Sequence, residues 1–340
     1  MFGVLLIPCV EAFPMGKIVY SVLVLDELSG CPIKDVPVKG VFTDIPSFWG
    51  GHSVERVTRM RTDVNGSCRF TGTSNHGTSF YKIEKIDGYY DVPLVKYVAT
   101  NRKRDFLPYR CEPYDCVFTT MLQRVEHPIP LCVKNVELRC HNRPIYDFDD
   151  TNTVLRYDLV LGDWLPPVGH GKVADLTMET YSNFVERVKG GIIDFDCYER
   201  RLSVALPGVG NGIVPITAKP TDGIKVRQAP ESGYAPAVMK RFGRKKSIRG
   251  VVVSPKMYSD EEPNRCYVFR IRSRYDEKGN LVEAYYGKIY GDFNFSKVWH
   301  YGERQFFLYY LNPKSLDRNL EWDMKNNLCP NPGSLSRPQP

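Results

Sequence analysis

The sequence lacks the short motifs that identify the commonest catalytic sites. It contains no G-x-S-x-G, no H-E-x-x-H and no phosphate-binding P-loop, and its six histidines form no ligand-like pair at helical spacing. These absences argue against nucleophile-elbow hydrolases, helix-borne zinc peptidases and P-loop nucleotide hydrolases. A pair of catalytic carboxylates needs no such motif, so that chemistry stays open.

Long apolar runs are missing as well. None approaches the ~18 residues that cross a membrane as a helix, so we predict no transmembrane span. Residues 1–16 open with a short apolar stretch, Phe2 to Val10, and Val10-Glu11-Ala12 is typical of a cleavage site, but no Lys or Arg precedes Lys17. A secretory signal combines a basic start, an apolar middle and a small-residue cleavage site. We interpret residues 1–16 as a possible signal segment of an exported protein, with a buried first strand as the alternative.

The ten cysteines are not spaced like the ligands of a structural metal site. Four of them and two histidines crowd into 31 positions: Cys111, Cys116, His127, Cys132, Cys140 and His141. Structural zinc sites usually bring their ligands as close pairs separated by two residues, whereas the cysteine pairs here are separated by four and seven. We expect buried thiols or one local disulfide, and we predict no metal and no cofactor.

The composition favours many short strands joined by turns over long helices. The chain has 25 Pro, 27 Gly and 21 Tyr, and its apolar content of 42% is that of an ordinary globular protein. A length of 340 residues exceeds the ~250 to 300 at which single cores stop growing. We therefore predict a mostly β protein with two domains.

Three stretches of the first part resemble a known family: LDELSGCPIKDVPVKGVF, TDVNGSCRFTG and YKIEKIDGYY. They are similar to the phrases SG-x-P-I-x-D-V-x-V, T-D-x-x-G-x-x-x-F and Y-x-I-x-K-x-GY, which mark successive strands in transthyretin-like, carboxypeptidase regulatory-like modules. The resemblance implies an immunoglobulin-like (Ig-like) β-sandwich over residues 17–126, a fold that needs ~100 residues. In peptidases this module is an accessory domain, so the resemblance carries over no catalytic residue.

A long connection, residues 43–57, interrupts these strands and holds Phe48, Trp49 and His52 around two glycines. Long loops in compact domains are often functional, and an exposed Trp usually has a partner. We predict that Phe48, Trp49 and His52 contact a ligand, which we take to be a glycan or a surface protein. The alternative is that Trp49 folds back on its own domain.

The second domain, predicted over residues 131–328, contains the clearest strand pattern of the chain. From Tyr267 to Tyr275, apolar residues of one parity alternate with Arg270, Arg272 and Arg274, which predicts a strand with one buried and one wet face. A turn at residues 276–280, a return strand over 281–290 and a third over 305–311 complete an antiparallel meander. Residues 173–188 fit a strand or a helix equally well, and residues 329–340 are expected to form a flexible tail.

Four phrases of this second part also carry a resemblance: LGDWLPPVGHGKVADL, the AP-ESGY stretch from Ala229 to Tyr234, FRIRSRYDEKGNLVEAYYGKIYGDF and FLYYLNPKSLDRNLEWDMKNNL. They resemble the C-terminal halves of uncharacterised exported bacterial proteins in which this region follows the Ig-like module. The resemblance supports the fold and the export, and it assigns no activity. The expected architecture is an Ig-like β-sandwich followed by a second antiparallel, sandwich-like β domain.

The basic charge of the chain is concentrated in one stretch, KRFGRKKSIR, which we interpret as a loop. Its cations are Lys240, Arg241, Arg244, Lys245, Lys246 and Arg249, and it has no acidic residue, while the whole chain carries a formal charge of +7. Such a stretch can bind nucleic acid or an anionic surface. It lacks an aromatic-interleaved platform, however, and a single charged loop is usually just solvated, so we predict no nucleic-acid partner.

Taken together, these features predict an exported, non-catalytic binding or structural protein. The alternative is a glycan-processing hydrolase that uses carboxylates of the second domain, of which Asp194 and Asp196 are candidates on one strand face. Glycosidases need two carboxyl groups ~5 to 9 Å apart across a cleft. A cleft with converging carboxylates would distinguish the two functions.

Overall fold

The computed structural model describes residues 16–44, 54–74, 78–92, 96–99, 101–103, 110–112, 114–139, 154–189, 194–217, 226–249, 252–262, 265–293 and 303–332. These residues form strands joined by turns, with no helix among them, so the predicted mostly β fold is confirmed. The chain divides into two compact units: the first comprises the described residues up to Glu126, and the second those from His127 on.

The first unit contains nine strands: β1 Gly16–Asp26, β2 Pro37–Asp44, β3 Val54–Arg61, β4 Ser67–Ser74, β5 Thr78–Ile83, β6 Lys96–Ala99, β7 Asn101–Lys103, β8 Arg110–Glu112 and β9 Cys116–Leu122. One sheet has the order β4-β1-β8-β7, with β9 also parallel to β1, and the other has the order β3-β2-β5-β6. Side chains from both sheets form one core, including Tyr20, Phe42, Phe70 and Tyr81. The unit is therefore a two-layer sandwich.

A buried carboxylate, that of Asp26, closes the end of β1. The side chain of Asp26 accepts hydrogen bonds from the Ser29 N–H at 2.9 Å, from Arg124 Nε at 2.6 Å and from the Tyr89 hydroxyl at 3.1 Å. The hydrogen bond from the Ser29 backbone, reinforced by Arg124, holds the pKa of Asp26 well below its usual range. The charge of Asp26 thus ties the end of β1 to the residues that follow β9.

The second unit contains twelve strands: β10 Ile129–Arg139, β11 Val154–Asp158, β12 Asp163–Trp164, β13 Leu176–Val188, β14 Phe195–Ala205, β15 Gly212–Thr217, β16 Ala237–Arg249, β17 Val252–Ser259, β18 Arg265–Tyr275, β19 Leu281–Tyr290, β20 Glu303–Asn312 and β21 Trp322–Asn327. They form two six-stranded sheets, β15-β18-β19-β20-β10-β21 and β12-β11-β13-β14-β16-β17. The pairing is antiparallel except between β10 and β21, which are parallel.

The core of the second unit lies between these two sheets. Tyr267, Phe269 and Tyr309 of one sheet pack with Leu176 and Val204 of the other in a single cluster. The far face of the first sheet is covered in turn by the segments around Ala229 and Leu320. One sheet is therefore buried on both of its faces, and the other on only one.

The predicted meander is confirmed as β18, β19 and β20, with the β18–β19 turn closed by Asp276, which accepts the N–H of Asn280 at 2.8 Å. The prediction of one wet face on β18 is wrong. Val268 is fully buried, and Arg270 lies 4.6 Å from the ring centre of Tyr234, because residues 226–235 cover this face. A bulge after Ile271 shifts the register, so Tyr275, predicted on the buried face, is partly exposed.

Two other ambiguous stretches are strands. Residues 176–188 form β13, which settles the choice between helix and strand. The basic stretch predicted as a loop is also a strand, β16, which pairs with β14 on one side and β17 on the other. The predicted signal segment lies outside the described residues apart from Gly16, and of the predicted tail only residues 329–332 are described.

Candidate binding surface

One sheet of the second unit extends beyond the core, and we call this extension the distal half-sheet: residues 181–188, 195–201, 241–249 and 252–259. Its core-side face is uncovered, whereas Val188, Phe195 and Cys197 form a small buried cluster on the opposite face. The adjoining parts of β13 and β14 are buried in the core through residues such as Met178, Leu202 and Val204. Beyond them the same face becomes exposed, as at Phe184 (60% exposed) and Met257 (58%). Large apolar side chains on an uncovered sheet face are typical of a surface that contacts another molecule.

A cross-strand row runs over the core-side face of the distal half-sheet. Phe184 of β13 lies opposite Tyr198 of β14, Tyr198 opposite Arg244 of β16, and Arg244 opposite Met257 of β17. The guanidinium groups of Arg200 and Arg244 lie 4.9 Å and 5.6 Å from the centre of the Tyr198 ring. These cation–π contacts hold both arginines against the sheet, so their charges have a fixed position at the surface.

The opposite face holds a second aromatic residue, Tyr258, which crosses over Gly243. A Cβ atom at position 243 would lie 2.7 Å from the Tyr258 hydroxyl oxygen and 2.3 Å from the Tyr198 carbonyl oxygen, so only glycine allows this crossing. The ammonium of Lys245 lies 5.8 Å from the Tyr258 ring centre. Cation and ring are thus paired on this face too.

A pocket of about 330 Å³ opens on the distal half-sheet. Its lining residues are Val185, Glu186, Cys197, Tyr198, Glu199, Arg244, Lys245, Lys246 and Tyr258. Val185 is the extra residue of a β-bulge between Phe184 and Glu186, and the bulge changes the direction of the side chains that follow it. The volume lies within the ~300–1,000 Å³ typical of small-molecule sites. Its lining residues include two glutamates, three basic residues and two tyrosines.

Two of the six predicted basic residues are engaged in the fold. Lys240 is buried and its Nζ lies 2.7 Å from Asp292 Oδ2, while the Tyr267 hydroxyl donates to Asp292 Oδ1 at 2.6 Å. Burial raises the pKa of Asp292, but the hydrogen bonds from Lys240 and Tyr267 outweigh it, and the pKa lies below its usual value. Arg241 pairs with Asp260 at 3.1 Å. These contacts anchor β16, and the carboxylates of Asp292 and Asp260 balance the charges of Lys240 and Arg241, so these two residues are poorly suited to bind an anionic ligand.

The other basic residues point to a ligand more directly. Within the part of the chain that the structure describes, Arg244, Lys245 and Lys246 have no carboxylate at ion-pair distance, and neither has Lys256 of β17. The side chain of Arg249 lies outside the described residues. The view that no aromatic residue accompanies these cations is wrong, because Tyr198 and Tyr258 are supplied by the neighbouring strands.

The predicted carboxylate pair is not gathered at this pocket. Asp196 receives two hydrogen bonds from Arg187, at 2.6 Å and 3.0 Å, and this hydrogen bonding lowers its pKa. Asp194 precedes β14 and does not line the pocket. The carboxylates that do line it are Glu186 and Glu199, and Glu199 accepts a hydrogen bond from Arg201 at 2.8 Å. No sequence pattern identified them, because the bulge at Val185 sets which side chains face the pocket.

A second charged cluster in this unit has a structural role. Arg272 of β18 donates to Asp175 Oδ1 and Oδ2, both at 2.8 Å, and to Asp158 Oδ1 at 2.7 Å. Backbone N–H groups of Leu161, Lys172 and Val173 also donate to Asp158. Burial raises the pKa of both carboxyls. At Asp158 the backbone hydrogen bonds outweigh burial, and the pKa lies below its usual value. At Asp175 burial dominates, and the pKa stays above its usual value. Protein groups already occupy both oxygens of each carboxylate.

Several predicted site residues cannot be placed. Phe48, Trp49 and His52 lie outside the described residues, as do Cys140 and His141 of the cysteine and histidine cluster, so a ligand contact at Trp49 stays a prediction. Over the described ranges, no three or more His, Cys, Asp or Glu side chains come together as a metal site. The described structure also contains no helix long and apolar enough to span a membrane.

Comparison of the chain with protein-family models, with curated proteins and with solved structures found no match.

Proposed function

We propose that the protein is an exported, non-catalytic binding protein that holds an acidic polysaccharide on the distal half-sheet of its second unit. The observation that carries this proposal is a pocket lined by two tyrosines, Tyr198 and Tyr258, each of which has a basic side chain next to its ring. Export rests on the apolar opening of the sequence, residues 1–16.

The charge of this surface supports an anionic ligand. The hairpin formed by β16 and β17, residues 237–259, has seven basic residues and no acidic one. Only Lys240 and Arg241 among its described side chains are paired with a carboxylate. Uncompensated cations concentrated in one hairpin attract a polyanion over a distance of about one Debye length, ~8 to 10 Å at physiological salt.

The chemistry of the pocket favours a polysaccharide over nucleic acid. The carboxylates of Glu186 and Glu199 can accept hydrogen bonds from hydroxyl groups, which a polysaccharide presents on every sugar unit and a DNA strand lacks along its backbone. Tyr258 presents a ring and a hydroxyl, which suit the apolar face and the hydroxyls of a pyranose. Arg200 and Arg244 already lie against Tyr198, so that ring is not an open platform for stacking a base.

Binding can be measured by biolayer interferometry with the full chain and three immobilised polymers: polygalacturonate, neutral dextran and single-stranded DNA. We expect binding to polygalacturonate that weakens between 50 and 200 mM salt, and no binding to dextran. Changing Lys245 and Lys246 together to Ala should weaken it about tenfold, which corresponds to ~1.4 kcal/mol, and changing both to Glu should abolish it. Lys278→Ala, in the exposed β18–β19 turn, is the matched control and should bind like the wild type.

Three results would contradict the proposal. The first is no affinity for polygalacturonate even at low salt, and the second is equal weakening by Lys278→Ala. The third is tighter binding to the DNA than to the polysaccharide, because that order would identify the surface as a nucleic-acid site.

A hydrolase remains the second candidate function, because Glu186 and Glu199 line the same pocket and glycoside hydrolysis uses a pair of carboxyl groups. A reducing-end assay on the same polysaccharide separates the two functions. A binding protein releases no reducing ends. The protein would instead be a hydrolase if the wild type and Asp196→Asn release reducing ends and neither Glu186→Gln nor Glu199→Gln does.

A further inference from the structure

Two cysteine thiols meet in the core of the second unit, away from the distal half-sheet. Cys132 belongs to β10, and Cys329 follows β21 by two residues. Both are buried free thiols of the same hydrophobic cluster, and their sulfur atoms are joined by a hydrogen bond.

The backbone around the two cysteines is fixed from both sides. Asn327 holds β10 through its side chain, which accepts the Val133 N–H at 2.9 Å and donates to the Val133 carbonyl at 2.8 Å. The Leu328 N–H donates to the Leu131 carbonyl at 2.9 Å, and the Cys329 N–H donates to Asn327 Oδ1 at 2.9 Å. Neighbouring strands lie ~4.8 Å apart, and the Leu328–Leu131 hydrogen bond continues this pairing beyond the end of β21. This spacing is compatible with the ~4.4 to 6.8 Å between the Cα atoms of a disulfide.

The two thiols differ in their surroundings. The hydrogen bond from Cys132 lowers the pKa of Cys329, the Asn331 N–H and the charge of Lys134 lower it further, and together they outweigh the effect of burial. The same hydrogen bond, with burial, raises the pKa of Cys132. The charge of Lys134 and the Asn331 N–H stabilise the thiolate of Cys329, and the thiolate is the reactive form, so we assign the first attack to Cys329. Its neighbours Leu328 and Pro330 are exposed, so a local opening of this short segment uncovers the sulfur.

We propose that Cys132 and Cys329 form a disulfide site that closes when the protein meets a low-molecular-weight disulfide. The Cys329 thiolate attacks one sulfur of that disulfide and expels the other half as a thiolate. Cys132 then gives up its proton to solvent and attacks the Cys329 sulfur, which expels the second half. Two protein thiols are oxidised by two electrons, and one small disulfide is reduced to two thiols.

The bond would fasten the segment after β21 to β10. In the reduced protein this segment is held by backbone and Asn327 hydrogen bonds, which open and close locally. A covalent link between two residues so far apart in the sequence restricts the unfolded chain strongly, so the oxidised protein should resist unfolding better than the reduced protein. The site does not depend on what the distal half-sheet binds.

The test is to treat the reduced full chain with oxidised glutathione, quench it with acid, and map its peptides without reduction after alkylation in denaturant. We expect one peptide pair linked through Cys132 and Cys329, with the loss of two alkylated positions. Cys266→Ser, which removes another buried thiol, should still give the linked pair. Cys329→Ser should give none and should leave Cys132 alkylated.

The wild-type peptide map makes the proposal testable even if a serine variant folds poorly. Cys132 and Cys329 that both stay alkylated after prolonged oxidation, or that link to other cysteines instead of each other, would overturn it. Thermal unfolding provides the second measurement. The oxidised wild type should melt several degrees above the reduced protein, and an equal shift in Cys329→Ser would also count against the assigned pair.

Discussion

Replacing Arg272 with Ala should strongly destabilise the second unit, because its guanidinium is the ion-pair partner of two buried carboxyl groups. The side chains of Asp158 and Asp175 are 1% and 2% exposed, whereas that of Arg272 is 27% exposed. Breaking a buried ion pair by removing one partner costs ~3 to 5 kcal/mol, and the partial exposure of Arg272 places this case at about 3 kcal/mol. With an m-value of ~2 kcal/mol/M, the urea midpoint should fall by about 1.5 M.

Arg274→Ala is the matched control on the same strand. Arg274 is 72% exposed and lies 2.8 Å from Glu283 at the surface, and such pairs contribute ~0 to 1 kcal/mol. Pulsed hydrogen exchange of the peptide that contains β18, measured along a urea titration of the full chain, reports on this unit directly. Equal midpoint shifts for the two variants would refute the idea that the Arg272 cluster stabilises the core.

The cost of Arg272→Ala should also depend on pH. Without the guanidinium, the pKa of both buried carboxyls rises in the folded state, and that of Asp175, already raised by burial, moves further above the unfolded value of ~3.9. A raised carboxyl pKa costs stability as pH increases above the unfolded value. The deficit of the variant relative to the wild type should therefore be larger at pH 7 than at pH 4, and a deficit independent of pH would contradict this account.

Two further substitutions test the cores of the two units. Phe269→Ala removes a fully buried ring and should lower the free energy of unfolding by ~3 to 5 kcal/mol in urea titrations. Phe184→Ala removes an exposed ring and should change it by no more than ~0.5 kcal/mol. Similar values for the two variants would contradict the burial assigned to these two rings. In the first unit, Asp26 has a lowered pKa, so its contribution to stability is present above the unfolded pKa of ~3.9 and is lost as pH falls below it. In circular-dichroism titrations, Asp26→Asn should therefore lose less stability than the wild type as pH falls. The control Asp35→Asn, which changes an exposed carboxylate, should unfold in acid like the wild type. Acid transitions that are the same in both variants would exclude the stabilising role of Asp26.

The meander of the second unit could be predicted because its information is local. Apolar residues alternate along β18, and the Asp276 turn needs only Asn280 and Gly279, which are four residues away or fewer. Its wet face was mispredicted for the opposite reason. The residues that cover Val268 come from around Ala229 and Leu320, and nothing in the alternation of β18 shows that a distant segment will pack there.

The basic strand β16 was mistaken for a loop because period-2 patterning reveals a strand only where one face is buried. Lys245 and Lys246 are exposed on opposite faces, so polar residues follow one another without alternation. The pairing with β17 makes this segment a strand. The aromatic partners of its cations were missed for the same reason, since Tyr198 precedes Arg244 by 46 positions and only the β14–β16 register brings them together.

The cations of the distal half-sheet have a second explanation that must be weighed against ligand binding. Edge strands often carry lysines and prolines because these residues prevent pairing with another sheet, and β17 is an edge strand with Pro255 and Lys256. Edge protection needs charge but not a particular sign, and it does not need a glycine that lets Tyr258 cross the strand or a bulge that opens a pocket. If protection of the edge strand were the whole role, reversing the charges of Lys245 and Lys246, which lie on the inner strand β16, would not change binding to an anionic polymer. Binding of an anionic ligand, by contrast, requires positive charge. Reversing the charge of Lys245 and Lys246 therefore distinguishes ligand binding from edge protection better than removing the charge does.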